Sequence, residues 1–207
     1  PIHSSAASDV YKRQMFDHVE CELPRLSRKN IDGVRFYTVN ERPMVSITSV
    51  TSHWNAKKFV EWRKRVGDEE ANRITKRATS RGTECHELIE TFMLNKEVQY
   101  KNPGPKMLFL QAKKTLEKIN NIYALEKSLY SEELGVAGTV DCIAEYEGEL
   151  AIIDFKTSAK PKPRSWIEGY FVQAAAYACM FFERTGIPVK KLVIIMTCEN
   201  GEVQVYE

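Results

Sequence analysis

The sequence predicts an α/β protein in which helices flank a central mixed β-sheet, with an N-terminal helical portion. Three observations support this class. Apolar residues recur at helical spacing within 55–95 and 107–120, whereas 122–155 consists of apolar runs typical of strands. A long helical segment, 165–184, then separates these runs from two further strand-like runs. A helix between strands is a crossover connection, which indicates that some of the strands are parallel.

We make a separate prediction for each end of the chain. Residues 1–14 have no apolar periodicity, and residues 5–14 look like translated adapter sequence, so we interpret this segment as a non-native or disordered leader. Residues 15–207 are expected to form a single domain. The last strand-like run ends with the chain, which leaves open a truncated C-terminus.

Composition and charge narrow the class of protein. The chain has 207 residues, 43% hydrophobic and 28% charged, with a net charge of +2, as is typical of a soluble globular protein. Cations are concentrated in residues 54–81, which hold nine Lys or Arg against four acidic residues. This excess favours a polyanionic partner, although a solvated helix face is the more ordinary explanation for any one of these residues.

The cysteines and the hydropathy pattern indicate an intracellular protein. Five cysteines are scattered without a Cys-x-x-Cys pair, which indicates neither a disulfide framework nor a zinc site. Reduced thiols are the expected state. No apolar run is long enough for a membrane span, so no membrane partner is expected.

The first half of the chain is predicted to be mostly helical. A short strand or hairpin arm is expected at 31–40, and 43–50 should lead into a helix capped by Ser or Thr. Helices are then predicted at 55–66, at 68–79 and from 81 to about 95. The first of these ends at a glycine, and the second begins with an aspartate cap.

The second half alternates between strands and helices. Ser165 and Glu168 have the spacing of a capping box at the start of a long helix, and Asn200-Gly201 is a strong hairpin turn. The further elements predicted from periodicity are a loop at 101–105, a helix at 107–120, a strand at 122–130, a helix at 165–184, and strands at 191–198 and 202–206.

A β-hairpin at 136–155 is the centre of the predicted site. Two apolar runs, Val136–Tyr146 and Leu150–Phe155, flank the turn dipeptide Glu147-Gly148, whose glycine suits a positive φ. Each run carries one acidic residue where a strand would ordinarily hold an apolar one.

These acids, Asp141 and Asp154, are followed by Lys156. Residues two apart on a strand share a face, so Asp154 and Lys156 should lie together, and the hairpin can bring Asp141 beside them. Buried charges are costly unless they pair or hold a metal. Two carboxylates can hold Mg²⁺ or Mn²⁺, and an ammonium can offset phosphate charge. On this pattern alone, a structural ion pair between Asp154 and Lys156 is the simpler explanation.

Two helical motifs add candidate site residues. His86 and its secondary neighbour Glu90 are four residues apart on one helix face, but the second His of a zinc protease motif is missing. Gln173 and Tyr177 are likewise one turn apart, and a buried Gln among alanines needs a hydrogen-bond partner. Taken alone, His86 is more simply explained as a helix-surface or core histidine, and the Gln173–Tyr177 pair is also explained by hydrogen bonding between the helix and the sheet.

The loop after the hairpin is basic. It runs from Lys156 to Arg164 and suits contact with a phosphate backbone if it lies next to a metal site. Its candidate substrate-binding residues are Thr157, Ser158, Lys160 and Lys162.

Four motifs in this order resemble the PD-(D/E)XK nucleases of the RecB-like branch: G-T-x-x-H, the hairpin aspartate, I-D-F-K-T-S and Q-A-A-A-Y. The sequence is most similar to the mitochondrial genome maintenance exonuclease group with its phage and bacterial relatives. The resemblance covers roughly 45–207 and is densest at 124–163. It implies a restriction-endonuclease-like core.

The resemblance also implies roles for the site residues. Asp141 and Asp154 would be metal ligands together with the carbonyl of Phe155. Lys156 would be the catalytic lysine, and His86 would lie beside the metal and serve as a ligand.

Further roles follow from the other matching motifs. Gln173 and Tyr177 would support the site and contact substrate, and Glu126 would be an outer acid. Some relatives bind an iron–sulfur cluster through one early and three late cysteines. Only Cys198 lies near the end of this chain, so no such cluster is expected.

The resulting hypothesis is a Mg²⁺- or Mn²⁺-dependent exonuclease acting on DNA, with single-stranded ends or flaps as the expected substrate. Trp54 and Arg81 would contribute stacking and backbone contacts. Two alternatives stay open: a DNA-binding module that keeps the nuclease fold without catalysis, and a structural protein whose acids only pair with Lys156. We expect a monomer in a bacterial or phage-infected cytoplasm rather than in a mitochondrion.

Overall fold

A mixed eight-stranded β-sheet organises the fold. The computed structural model describes residues 15–207, so the predicted leader lies outside the described residues. The strands are β1 (Arg28–Ile31), β2 (Val34–Val39), β3 (Arg42–Ser46), β4 (Ile119–Ser131), β5 (Val136–Tyr146), β6 (Glu149–Ser158), β7 (Lys191–Cys198) and β8 (Val203–Tyr206). The helices are α1 (Ile47–Trp54), α2 (Ala56–Val66), α3 (Asp68–Met93), α4 (Pro103–Leu116) and α5 (Glu168–Thr185).

The strand order is β1-β2-β3-β5-β6-β7-β8, and β4 pairs with β5. The β3–β5 and β6–β7 pairs are parallel, whereas the other pairs are antiparallel. The predicted mixed sheet flanked by helices is therefore confirmed. The helix α5 provides the crossover between the parallel strands β6 and β7.

The sheet buries a hydrophobic core on each face. Adjacent residues of β6 point to opposite faces, so Ile153 packs with Leu88 and Phe109 from α3 and α4, while Ile152 packs with Phe181 from α5. This two-sided burial explains why β6 is apolar along most of its length, and why the acid within it is conspicuous.

Two helix predictions are wrong at their boundaries. The predicted break near residue 81 is absent, because α3 continues from Asp68 to Met93 and its second half packs Cys85, Leu88 and Phe92 into the core. This burial outweighs the modest cost of Gly82 within a helix. The predicted helix 107–120 instead begins at Pro103, a residue suited to the first turn, and β4 begins at Ile119.

Two further differences lie at helix starts. Residues 42–46 form β3 instead of only leading into α1, because Val45 and Ser46 pair with the beginning of β5. The predicted capping box at Ser165 is wrong, since Arg164–Trp166 form a 3₁₀ turn and no side chain caps α5.

The strands β5 and β6 diverge at the middle of the sheet. On one edge of β5, β6 pairs with residues 142–146 and β3 pairs with residues 136–137. Residues 138–141 therefore have no strand partner on that edge of β5. The side chain of Tyr177 from α5 enters here, and its hydroxyl donates to the Thr139 carbonyl at 2.8 Å. A Cβ on Gly138 would lie 2.6 Å from the Tyr177 hydroxyl, so the close approach requires glycine.

We expect Gly138→Ala to lower the free energy of unfolding by about 1–3 kcal/mol, because the added methyl group displaces the buried Tyr177 ring. Urea denaturation checks this. Gly169→Ala is the matched control, since a Cβ there meets nothing within 4 Å in the first turn of α5. The control should be neutral or stabilising by up to about 1 kcal/mol. Equal unfolding midpoints for the two variants would contradict the packing described here.

Candidate active site

The divergence of β5 and β6 positions Asp141. Because β5 no longer pairs with β6 beyond Ile153, the backbone N–H of Phe155 has no strand partner on that side. Asp141 Oδ2 accepts this N–H at 2.8 Å. The carboxylate therefore bridges the two strands where they separate, and its other oxygen is directed towards His86.

Asp154 and Lys156 form a largely buried ion pair, with Nζ of Lys156 2.5 Å from Oδ2 of Asp154. The predicted shared face is confirmed by this contact. Asp154 is only 3% exposed, and Gln173 Nε2 lies 3.4 Å from its Oδ1, which gives the buried amide its partner. Apart from this contact with the Lys156 ammonium, no hydrogen bond to Asp154 Oδ2 is formed within residues 15–207.

Burial sets the charge state of this pair. Burial raises the pKa of Asp154, and the Lys156 ammonium opposes that change. Burial also acts to lower the pKa of Lys156, but the carboxylates of Asp154 and Asp141 outweigh it and raise the pKa of Lys156 above its ordinary value. Lys156 is therefore an ammonium at neutral pH.

His86 of α3 connects the two strands to a third acid. Its Nε2 donates to the Phe155 carbonyl at 2.8 Å, because a carbonyl can only accept. The other ring nitrogen, Nδ1, lies 3.9 Å from Asp141 Oδ1 and 3.9 Å from Glu126 Oε1. Burial would lower the pKa of His86, but Asp141 and a hydrogen bond with Glu126 raise it to about 9.

Glu126 reaches this position through an irregular turn of β4. Its φ of +49° lies in the left-handed region, while Leu125 and Lys127 on either side pair with Cys142 and Val140. The side chain of Glu126 is thereby presented beside Asp141. The family resemblance had implied Glu126 as an outer acid, but its position opposite Asp141 follows from the register of β4 and β5.

Three of these residues could hold a metal ion. Each of them offers one ligand atom, and the three ligand atoms of His86, Glu126 and Asp141 lie within 4.8 Å of one another. The predicted ligands Asp154 and Phe155 are differently engaged, since Lys156 contacts the Asp154 carboxylate and His86 contacts the Phe155 carbonyl. Two carboxylates with one imidazole fit a hard divalent cation such as Mg²⁺ or Mn²⁺.

These groups line an open cleft of about 510 Å³ between α1, α3, α5 and the separated strands. Glu90 and Glu126, the two acids predicted to have secondary roles, also line this cleft. Its charged and titratable lining residues are Arg28, Arg35, His86, Glu87, Glu90, Glu126, Asp141, Lys156 and Tyr170.

Arg28 and Arg35 were missed from the sequence. Their hairpin has a usable signal, the Asp32-Gly33 turn, and both of these turn residues have positive φ. Short strands with few apolar residues give weak periodicity, which explains why β1 was not predicted.

Several predicted substrate contacts lie elsewhere. Tyr177 is 2% exposed and bonded to the β5 backbone, so this structure places it as a support for the separated strands, and its contact with substrate stays a prediction. Ser158 is also buried, and its hydroxyl donates to the Lys160 carbonyl at 2.7 Å. Arg81 Nη1 lies 2.6 Å from Glu199 Oε1 and outside the cleft.

The remaining predicted contacts are not among the residues that line the cleft. Thr157 packs near Gly82, Lys160 is exposed, and Lys162 Nζ donates to the Tyr170 hydroxyl at 3.2 Å. Trp54 is 59% exposed and lines a neighbouring groove of about 770 Å³. This groove shares Asn55 and Gly169 with the cleft.

The comparisons with known proteins agree on one family for this chain. The profile of the PD-(D/E)XK nuclease superfamily matches residues 52–198. The chain is 30% identical over 147 residues to the mitochondrial genome maintenance exonuclease 1 of Homo sapiens, covering 64% of this chain and 42% of that protein. The proteins of the same name from Mus musculus and Xenopus tropicalis are 31% and 32% identical over 112 and 125 residues, covering 51% and 56% of this chain and 33% and 35% of those proteins.

The chain therefore spans less than half the length of these relatives. Their names are mitochondrial and give no support to the expectation of a bacterial or phage host. None of the helices among residues 15–207 has the length and apolar character needed to cross a membrane.

The raised pKa of His86 predicts a pH-dependent stability of the metal-free protein. The folded-state pKa of about 9 exceeds the ordinary value of 6.5, so protonation favours the folded state. This contribution is complete below the ordinary pKa and is lost as the pH rises through the folded-state pKa. It amounts to roughly 3 kcal/mol at most.

Urea unfolding in EDTA between about pH 6 and about pH 10 measures this effect. His86→Gln is the comparison, because a Gln amide can still donate to the Phe155 carbonyl but does not titrate. We expect the parent protein's stability advantage over the variant to shrink as the pH rises. A constant difference across the range would contradict the charge assignment.

Proposed function

Because the chain belongs to the PD-(D/E)XK nuclease superfamily, we propose that it is a divalent-metal-dependent deoxyribonuclease. The proposed reaction is hydrolysis of phosphodiester bonds in DNA, as an exonuclease acting on single-stranded ends or flaps. One observation carries the proposal: His86, Glu126, Asp141 and Lys156 converge in a single open cleft where β5 and β6 separate.

Lys156 is proposed to stabilise negative charge on the phosphate. Its raised pKa keeps it protonated, which suits a role as a cation better than a role as a base in the metal-free site. Asp154 holds the ammonium in place through the 2.5 Å contact, and Gln173 restrains Asp154 from the other side. The three residues therefore act as one positioned unit.

His86, Glu126 and Asp141 are proposed to hold Mg²⁺ or Mn²⁺. When bound, such an ion supplies charge that lowers the pKa of water and offsets charge on the phosphate. The protein's own contribution is orientation. Asp141 is fixed by the Phe155 N–H, and His86 is fixed by the Phe155 carbonyl, so one peptide residue aligns two candidate ligands.

The groove beside the cleft supports single-stranded DNA as the substrate. All three tryptophans of the chain, Trp54, Trp62 and Trp166, line it together with Lys58 and Arg65. Trp54 and Trp166 are 59% and 73% exposed, which is unusual for such large apolar side chains. Unpaired bases stack on exposed aromatic rings while cations follow the backbone, and base-paired DNA cannot use such a surface in this way.

We expect Lys156→Ala to lower the cleavage rate at least about 100-fold, because the charge next to the phosphate is removed. Lys156→Gln is tested alongside, since its amide can still bond Asp154 and limits the destabilisation caused by an unpaired buried carboxylate. Digestion of 5′- and 3′-labelled single strands, duplexes and circles with Mg²⁺, Mn²⁺ or EDTA gives the rate, the metal requirement and the polarity.

Lys190→Ala is the matched control, because Lys190 is exposed and lies outside the cleft. It should cleave at the parent rate. Cleavage by Lys156→Ala at the parent rate would refute the proposed role of this lysine. If the parent protein binds DNA but never shortens it with either metal, the non-catalytic binding module becomes the better explanation.

The groove yields a separate prediction. Trp54→Ala should weaken binding of a single-stranded oligonucleotide roughly tenfold, since base stacking on an aromatic residue contributes about 1–3 kcal/mol. Fluorescence anisotropy measures the affinity. Phe182→Ala is the control, because Phe182 is an exposed aromatic residue outside the groove. Equal losses in both variants, or an equal loss for duplex DNA, would argue against a stacking groove.

A further inference from the structure

The β1–β2 hairpin forms one wall of the cleft and lies before the region that matches the superfamily. It contributes two arginines, Arg28 and Arg35, to the cleft lining. We propose that Arg28 and Arg35 bind a phosphate of the DNA backbone and position the strand across the cleft. This inference rests on the proposed nuclease function and adds substrate-positioning residues to it.

The strand register places both arginines on the side of the hairpin that faces the site. Arg28 is directly opposite Tyr37, and Arg35 precedes Tyr37 by two residues, so all three side chains share one face. Tyr37 is buried, and its hydroxyl is 3.0 Å from the Thr139 hydroxyl. Thr139 in turn precedes Asp141 by two residues and lies on the same face of β5.

Tyr37 thus anchors the arginine-bearing face against the strand that carries Asp141. Two contacts keep the hairpin in this place: the Tyr37–Thr139 hydrogen bond and the Arg35 backbone N–H, which donates to the Ser49 hydroxyl at 3.1 Å. The arginines are therefore held on a fixed wall of the cleft.

The acidic residues that line the cleft indicate what these arginines contribute. Glu87, Glu90, Glu126 and Asp141 line the cleft, and these four carboxylates would repel an approaching DNA backbone. No ion pair joins Arg28 or Arg35 to a carboxylate of residues 15–207, so both guanidinium groups are free to pair with a ligand. Guanidinium groups bind phosphate oxygens through paired hydrogen bonds, which favours DNA as the ligand of this wall.

The test compares arginine variants with a control on the same hairpin. Arg28→Ala and Arg35→Ala should each weaken binding of a single-stranded oligonucleotide roughly fivefold to tenfold. The slope of log affinity against log salt concentration should become shallower by about 0.7 per arginine. In cleavage assays, KM should rise while kcat stays within about twofold.

Lys29→Ala is the matched control, because it removes the same charge from the opposite face of β1, where Lys29 pairs with Phe36. It should leave affinity, salt slope and KM near the parent values. Arg28→Lys and Arg35→Lys retain the charge and should recover the salt slope, which separates lost phosphate contacts from a damaged fold.

The outcomes distinguish this inference from the nuclease function. If the parent protein cleaves DNA and the arginine variants match Lys29→Ala, the phosphate-binding role is overturned while the nuclease function stands. If the parent protein never cleaves DNA but the arginine variants lose affinity and salt slope, the arginine site stands and the nuclease function fails.

Discussion

The hydrogen bond from the Phe155 N–H to Asp141 is the constraint on which the candidate site depends. A sheet whose strands separate must satisfy the backbone donors that lose their partners, and a carboxylate does so here at 2.8 Å. The same peptide residue offers its carbonyl to His86. The opening of the sheet, the orientation of Asp141 and the orientation of His86 are thus consequences of one local arrangement. Tyr177 stabilises the other side of the opening through the Thr139 carbonyl.

The site also shows how a protein can gather acids without an excessive electrostatic cost. Asp154 is paired with Lys156, and the protonated ring of His86 lies between Asp141 and Glu126. These two cations, Lys156 and His86, each lie next to at least one carboxylate, so the desolvation of the acids is partly offset inside the fold. The predicted ligand set placed Asp154 and the Phe155 carbonyl directly on the metal. The structure instead gathers Glu126 with His86 and Asp141.

Sequence reasoning was most successful where hydrophobic burial determines the structure. The hairpin, the strands β4 and β7 and the helix α5 have strong periodicity, and Asp141, Asp154 and Lys156 were noticed because they interrupt it. Elements fixed by tertiary contacts were harder to predict. β3 forms because it pairs with β5, and α3 continues through Gly82 because its second half is buried. Arg28 and Arg35 were missed because only the folded arrangement shows which residues form the wall of a cleft. The burial of Tyr177 was likewise not predictable, because it depends on where two strands diverge.

The pairing of acids with cations inside the site affects how the stability of the protein would depend on divalent ions in a cell. A domain whose acids are already compensated by Lys156 and His86 does not need an ion to become folded, unlike a zinc finger that is unstructured without its metal. An ion that binds only the folded protein would add to the stability of a fold that the internal ion pairs already support. For the proposed metal-dependent nuclease, a shortage of divalent ions would stop cleavage while the fold persists, and activity could return on resupply without new synthesis.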